Sequence, residues 1–283
     1  MYKRIFICIS LCLLFIANNT IAQSQNPNIE PKANALLKAM GDCLKNAKEF
    51  SFEAYQISDY ILDSGQKIQL SDYVKVIVKR PNQVYSDSTG DTRNERIWYN
   101  GTKLTVLNKT DNTYGIITVP NTIDKTLDYI NSNFRTTLPI ADLLVSDPYA
   151  SAIANVESGV YLGKHYVGKV KCHHLAFRQD GLDWQIWIQD SKTLLPLQLA
   201  ITFKELPSHP QFIAILKNWN LSPQIEEKTF VPQLPPNAKK VELLPKKKNV
   251  NTNKSAKCNK QNCKGCKDCK NKKNCSNKNR CGK

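Results

Sequence analysis

Eleven segments of this chain alternate apolar and polar side chains with a period of two, and that period dictates a sheet. In Leu195–Phe203, residues Leu195, Leu197, Leu199, Ile201 and Phe203 point one way, while Pro196, Gln198, Ala200 and Thr202 point the other. In Ile68–Val78, Ile68, Leu70, Val74, Val76 and Val78 share a face opposite Lys67, Gln69, Ser71 and Lys75. The same reading places strands at 51–62, 66–79, 83–88, 95–99, 102–108, 113–119, 157–166, 169–178, 183–190, 194–204 and 210–219. Ser64-Gly65 and Asn100-Gly101 sit between adjacent strands and predict hairpins. Short turns between sequential strands imply an antiparallel sheet with one apolar and one solvated face. Beyond Pro223 the chain is proline-rich, with room for one short strand at 239–244.

Two stretches break the period. Leu36, Leu37, Met40, Leu44 and Ala47 recur at helical spacing within Pro31–Lys48, and Pro31 suits a first turn. After Pro120, Ile123, Leu127, Ile130 and Phe134 mark a second helix, and Pro139–Val145 and Pro148–Asn155 give two short helical pieces. These helices need somewhere to bury their apolar sides, and the sheet's apolar face is available. The fold expected is mainly β with α insertions. It is a curved antiparallel sheet, a half barrel of about eleven strands, with helices covering the concave face.

The two ends differ in composition from this body. Residues 1–22 run from Lys3 and Arg4 through the apolar stretch Ile5–Ala17 to Thr20-Ile21-Ala22, the order of a cleavable export signal. The apolar stretch is too short to span a bilayer comfortably. Cys12 follows Leu11 inside that stretch, which does not fit a lipidation site. The expected product is an exported, periplasmic domain over residues 23–245.

Residues 246–283 hold 14 of the chain's 40 Lys and Arg but one of its 24 acids, Asp268, whereas the body carries 24 bases and 23 acids. A nucleic-acid-binding domain carries its positive charge on the fold; here it lies in a tail, so no specific nucleic-acid partner is expected. The tail has almost no apolar residues besides cysteine and is expected to be disordered. Its six cysteines are Cys258, Cys263, Cys266, Cys269, Cys275 and Cys281. Cys263, Cys266 and Cys269 form two overlapping C-x-x-C units, a spacing that suits Zn²⁺ or Cu⁺. Disulfides and an unselected low-complexity tail are equally open readings. The lysines add attraction for an anionic envelope surface.

No G-x-S-x-G, H-E-x-x-H, phosphate-cradling or dinucleotide-binding motif occurs, and the expected protein is not an enzyme and has no cofactor apart from a metal on the tail. Cys172-His173-His174 is the densest reactive cluster of the body. On a strand, Cys172 and His174 face one side, and His165 could join them; the plainer reading is a buried thiol beside hydrogen-bonded histidines. Whether Cys43 and Cys172 pair depends on Cα atoms lying within roughly 7 Å, which spacing leaves open. Asp142 and Asp147 read as helix-start residues rather than an acid–base pair.

Several blocks carry a resemblance. They are FSFEAY at Phe50, VKRPNQVY at Val78, WYNGTKLTV at Trp98, TIDKTLDYI at Thr122, LPIADLLVSDPYA at Leu138 and CHHLAFRQDGLDWQIWIQD at Cys172. Over residues 32–245 the chain resembles the bacterial predicted periplasmic protein family known as domain of unknown function 2092. The resemblance implies a half barrel similar to the lipoprotein-localisation (LolA-like) carriers, whose cavity accepts acyl chains.

A half barrel whose long apolar faces have modest helical cover should enclose a groove, unlike a small closed barrel filled by its own side chains. The residues expected to line it are Phe52, Val74, Val76, Trp184, Ile186, Leu197, Leu199 and Ile201. The function expected is a carrier or sensor for a lipid or an acylated lipoprotein, with metal binding by the tail as the alternative.

Overall fold

A computed structural model describes residues 28–134 and 138–243; the expected export signal and the Cys-rich tail lie outside the described residues. Helix α1 (Pro31–Asn46) opens the fold. Strands β1 (Glu49–Ile61), β2 (Lys67–Lys79), β3 (Gln83–Gly90), β4 (Asn94–Tyr99), β5 (Lys103–Asn108) and β6 (Thr113–Thr118) follow. Helix α2 (Ile123–Phe134), a 3-10 turn at Ala141–Leu143 and helix α3 (Pro148–Ile153) separate them from β7 (Val156–Val167), β8 (Val170–Gln179), β9 (Leu182–Gln189), β10 (Pro196–Phe203) and β11 (Gln211–Asn220). A 3-10 turn at Glu227–Phe230 and the short strand β12 (Lys239–Lys240) complete the order.

All twelve strands form one open, curved sheet in the order β12-β6-β5-β4-β3-β2-β1-β11-β10-β9-β8-β7. Its centre is the β1–β11 pair, where the two halves of the chain meet. The eleven expected strands are present and antiparallel. The twelfth corrects the all-antiparallel expectation: β12 runs parallel to β6, pairing Lys239 with Thr113 and Lys240 with Tyr114. It arrives by the long proline-rich connection rather than a hairpin, so nothing constrains it to reverse direction.

The apolar sides of the helices sit on the concave face, and the core divides into two clusters. In one, Ala33, Leu37 and Met40 of α1 meet Leu175, Phe177, Trp184, Ile186 and Ile188 of β8 and β9. In the other, Ile123 of α2 and Ile140, Leu143 and Leu144 cover β1–β5, with Phe52, Ala54, Val74, Val76, Val78, Tyr99 and Leu104. α1 and α3 pack so closely that a Cβ on Gly41 would stand 2.6 Å from Tyr149 Cβ. The tightness of that contact fixes α1 against its half of the sheet.

The convex face is not uniformly solvated, which corrects the one-face reading. Trp98, Thr105 and Leu107 are buried although they alternate with the concave residues of β4 and β5. The Glu227–Phe230 turn, with Phe230 buried, packs against β3 on its way to β12. The chain after Pro223 therefore acts as a second layer over this part of the sheet.

Candidate functional site

The two halves of the concave face are covered unequally. α1 has an apolar side long enough to fill its half. α2 is shorter, and its apolar residues reach the sheet through Ile123, Leu127 and Ile130. Between α2 and β2–β6 an apolar chamber of about 420 Å³ remains, within the range of about 300–1,000 Å³ usual for small-molecule sites. Val74, Val76, Val84, Ile97, Val106 and Ile117 form its sheet wall, and Leu127, Ile130 and Ile140 form its helical wall.

Side-chain hydrogen bonds hold α2 in place over the chamber. Tyr99 Oη donates to Pro120 O at 2.8 Å, Thr126 Oγ1 donates to the same oxygen at 2.9 Å, and Ile123 N donates to Pro81 O at 3.0 Å. Asp124 accepts from Ser146 Oγ at 2.7 Å and ties α2 to the segment before α3. Asp147 caps α3 by accepting from Ala150 N at 3.0 Å, and Lys45 Nζ donates to its other oxygen at 2.6 Å. Asp142 accepts from Ser151 Oγ at 3.0 Å. These carboxylates thus serve the helix starts.

One end of the chamber is polar. Glu95 shares the face of Ile97 and Tyr99 along β4, so its carboxyl faces the apolar interior; burial pushes that carboxyl up, against the pull of Arg93. Gln56, Ser86, Ser88 and Arg93 line the same end. Asp72 accepts from Thr92 N at 2.9 Å, from Arg93 N at 3.1 Å and from Thr92 Oγ1, and so fixes the turn that carries Arg93. A second, smaller cavity of about 220 Å³ shares Gln56, Arg93 and Pro139 with the chamber and is lined by Asp59, Tyr60, Asp72 and Gln211 among others. At the far side, the last described residues close the β6 edge. Val241 N donates to Tyr114 O at 2.8 Å. Leu243 packs directly over Gly115, where any Cβ would collide with it, and its side chain forms part of the chamber wall.

The eight residues expected to line a groove distribute over three places. Val74 and Val76 line the chamber. Phe52 belongs to the same cluster but stacks on Trp219 with centroids 4.5 Å apart. Trp184 and Ile186 lie beneath α1, where Trp184 stacks on Phe177 at 4.3 Å. Leu199 and Ile201 are partly buried and pack against both clusters. Leu197 has no partner on β9, because the register shifts between Pro196 and Gln198. Pro196 lacks an N–H to donate to the ladder, and bulges are where sheets place proline. The strand alternation hides this shift, and Pro196 is its signal. Missed altogether were Ile97, Val106, Ile117 and Ile130, and the polar pair Arg93 and Glu95; a lone glutamate in the apolar register of β4 could have pointed to the last.

Cys172 and His174 are on the convex face, away from the chamber, while His173 points to the other side, against Tyr161 and Asp190. His165 Nδ1 and His174 Nδ1 are 2.7 Å apart, His174 Nε2 lies 3.0 Å from Gln185 Oε1, and Trp187 stacks on the His174 ring at 3.9 Å. Burial holds His174 toward its neutral form and pushes the Cys172 thiol up, so this thiol is a poor nucleophile. Cys43 and Cys172 are both free thiols. Among the described residues no group of three or more His, Cys, Asp or Glu is placed to hold a metal ion. The six tail cysteines lie outside the described residues. No helix among the described residues is long and apolar enough to cross a membrane.

Fold and chamber together define a half-barrel protein with an internal apolar cavity. The chain belongs to the family described as "Predicted periplasmic protein (DUF2092)", matched over residues 33–244, and is a periplasmic protein. No curated protein matches it. Solved structures of similar outline include an uncharacterised conserved protein from Thermus thermophilus, 9% identical with a TM-score of 0.43, covering 75% of this chain and 99% of that one. The lipoprotein LppX from Mycobacterium tuberculosis is 10% identical with a TM-score of 0.40, covering 70% and 100%. A LolA superfamily protein from Nitrosomonas europaea is 10% identical with a TM-score of 0.34, covering 71% and 97%.

Proposed function

We propose that this protein is a non-enzymatic periplasmic binding protein, a carrier or sensor for a lipid or an acylated protein, and that the ligand's chain occupies the chamber under α2. The observation that carries this reading is the chamber itself: an interior space of about 420 Å³ walled by valine, leucine and isoleucine, beside a half of the sheet that α1 covers with a buried apolar cluster. Each methylene moved from water into such a space contributes about 0.8 kcal/mol, so a partly inserted chain is held. Release is served by a cover that rests on few elements. Mass spectrometry of an organic extract, taken from protein purified from the periplasm without detergent, tests the proposal. An acyl-bearing species near one per protein is expected; an extract without one contradicts it.

A second role rests on the sequence of residues 258–281, whose cysteines carry the C-x-x-C spacing of a soft-metal site. In this reading the tail binds Zn²⁺ or Cu⁺ and its lysines lie against an anionic envelope surface. Metal content of the full chain compared with a chain ending at Pro245 tests it, and uptake that survives truncation contradicts it.

A further inference from the structure

We infer that the preferred ligand of the chamber is a single-chain amphiphile with an anionic head, and that Arg93 is the residue that receives the head. This deepens the carrier reading above and rests on it.

Among the described residues Arg93 is the one with a basic side chain in the walls of both cavities, and together with Gln56 and Pro139 it stands where the apolar chamber meets the smaller polar one. A chain lying along Ile97 and Val106 would bring its head to this point. Volume limits the occupant: about 420 Å³ is at the small end of ligand cavities and suits one chain better than two or three.

Among the described residues the Arg93 guanidinium makes no hydrogen bond or close ion pair; its charge acts on Glu95 through space, and its backbone is fixed by Asp72. The acids around it are otherwise engaged. Asp72 already accepts from Thr92 and from the Arg93 N–H. Asp59 accepts from Gln69 Nε2 and Gln211 N at 3.0 Å each and is paired with Lys67 at 3.2 Å. Glu95, facing the apolar side, is pushed toward its neutral form by burial, with Arg93 opposing from a distance and forming no ion pair with it. A half-buried guanidinium whose neighbours are already satisfied is complementary to a carboxylate or a phosphate, which it can bind through two parallel N–H bonds. Gln56, Ser86 and Ser88, in the same wall, offer neutral hydrogen-bonding groups for the atoms that join head to chain.

Displacement of an uncharged fluorescent acyl probe from the delipidated full chain tests this, with hexadecanoic acid, hexadecyl phosphate, hexadecanol and hexadecylamine as competitors. The acid or the phosphate should compete about tenfold or more better than the alcohol, the strength of a charge-assisted pair. Whichever anion competes better identifies a free fatty acid or a phosphate-headed lipid as the source. Arg93→Gln should abolish the preference by weakening the acid and the phosphate, while Arg93→Lys should keep part of it. The head-group inference is overturned if the wild type does not distinguish acid, phosphate and alcohol, if the amine competes best, or if Arg93→Gln retains the preference. In this assay the carrier reading itself falls if the wild type does not bind the probe.

Discussion

The guanidinium of Arg80 lies 4.8 Å from the centre of the Phe50 ring, and from there it reaches into the cover of the sheet. It donates to Leu44 O and Ala47 O at the end of α1 and to Val145 O before α3, each at 2.7 Å. One side chain thus joins the end of β2 to both parts of the helical layer. Burial pulls its pKa down from the ordinary arginine value. Replacing Arg80 with Ala would leave the part-buried Ala47 O and Val145 O without this donor and Leu44 O with only Ala47 N, and should cost about 3 kcal/mol of stability. Urea unfolding at pH 7 measures this, and Arg80→Lys should recover part of the loss.

Leu243 depends on a residue that has no side chain. Gly115 leaves the space that Leu243 fills, so Gly115→Val should displace Leu243 and the parallel pairing of Lys239 and Lys240 with β6. Trypsin cleavage after Lys239 or Lys240 should become several-fold faster, while cleavage elsewhere in the folded body stays slow. Unchanged cleavage would mean that the segment is held by other contacts.

Glu95 makes stability fall as pH rises. Its folded pKa is raised above the unfolded value, chiefly by burial, with Asp72 adding to the effect and Arg93 and Lys109 opposing it. Between the two pKa values the native state holds more protons, so the contribution is full below the unfolded value and lost as pH rises through the folded one. Glu95→Gln should therefore stabilise the protein at pH 7.5 more than at pH 4, in denaturant titrations of both proteins at each pH.

Ending the chain at Pro245 should leave the stability of the body within about 0.5 kcal/mol, the size usual for changes away from packed features. The same truncation should remove any Zn²⁺ or Cu⁺ uptake. A larger loss on calorimetry would mean that residues 246–283 contribute to the fold.

Strands and helices were legible because their periods are long and clean; Leu36, Leu37, Met40 and Leu44 of α1 and the alternation of β2 leave little choice. The position of the chamber was not legible. Alternation shows which side of a strand is apolar, but not which apolar residues a helix will cover. Trp184 and Val76 look alike in sequence, yet α1 fills the space over the first and α2 leaves space over the second. Leu197 shows a finer limit, since one bulge at Pro196 takes a residue out of register without disturbing the pattern of hydrophobicity.

The chamber's role is tested most directly by filling it. Val106 lies in its wall on β5, and Ile116 on β6 is exposed on the opposite face. Val106→Phe should reduce the affinity of a delipidated full chain for a fluorescent acyl probe by tenfold or more, with stability changed by no more than about 1.5 kcal/mol; Ile116→Phe should leave the affinity unchanged. Wild-type affinity in Val106→Phe, or no probe binding by the wild type, would contradict a ligand in this chamber.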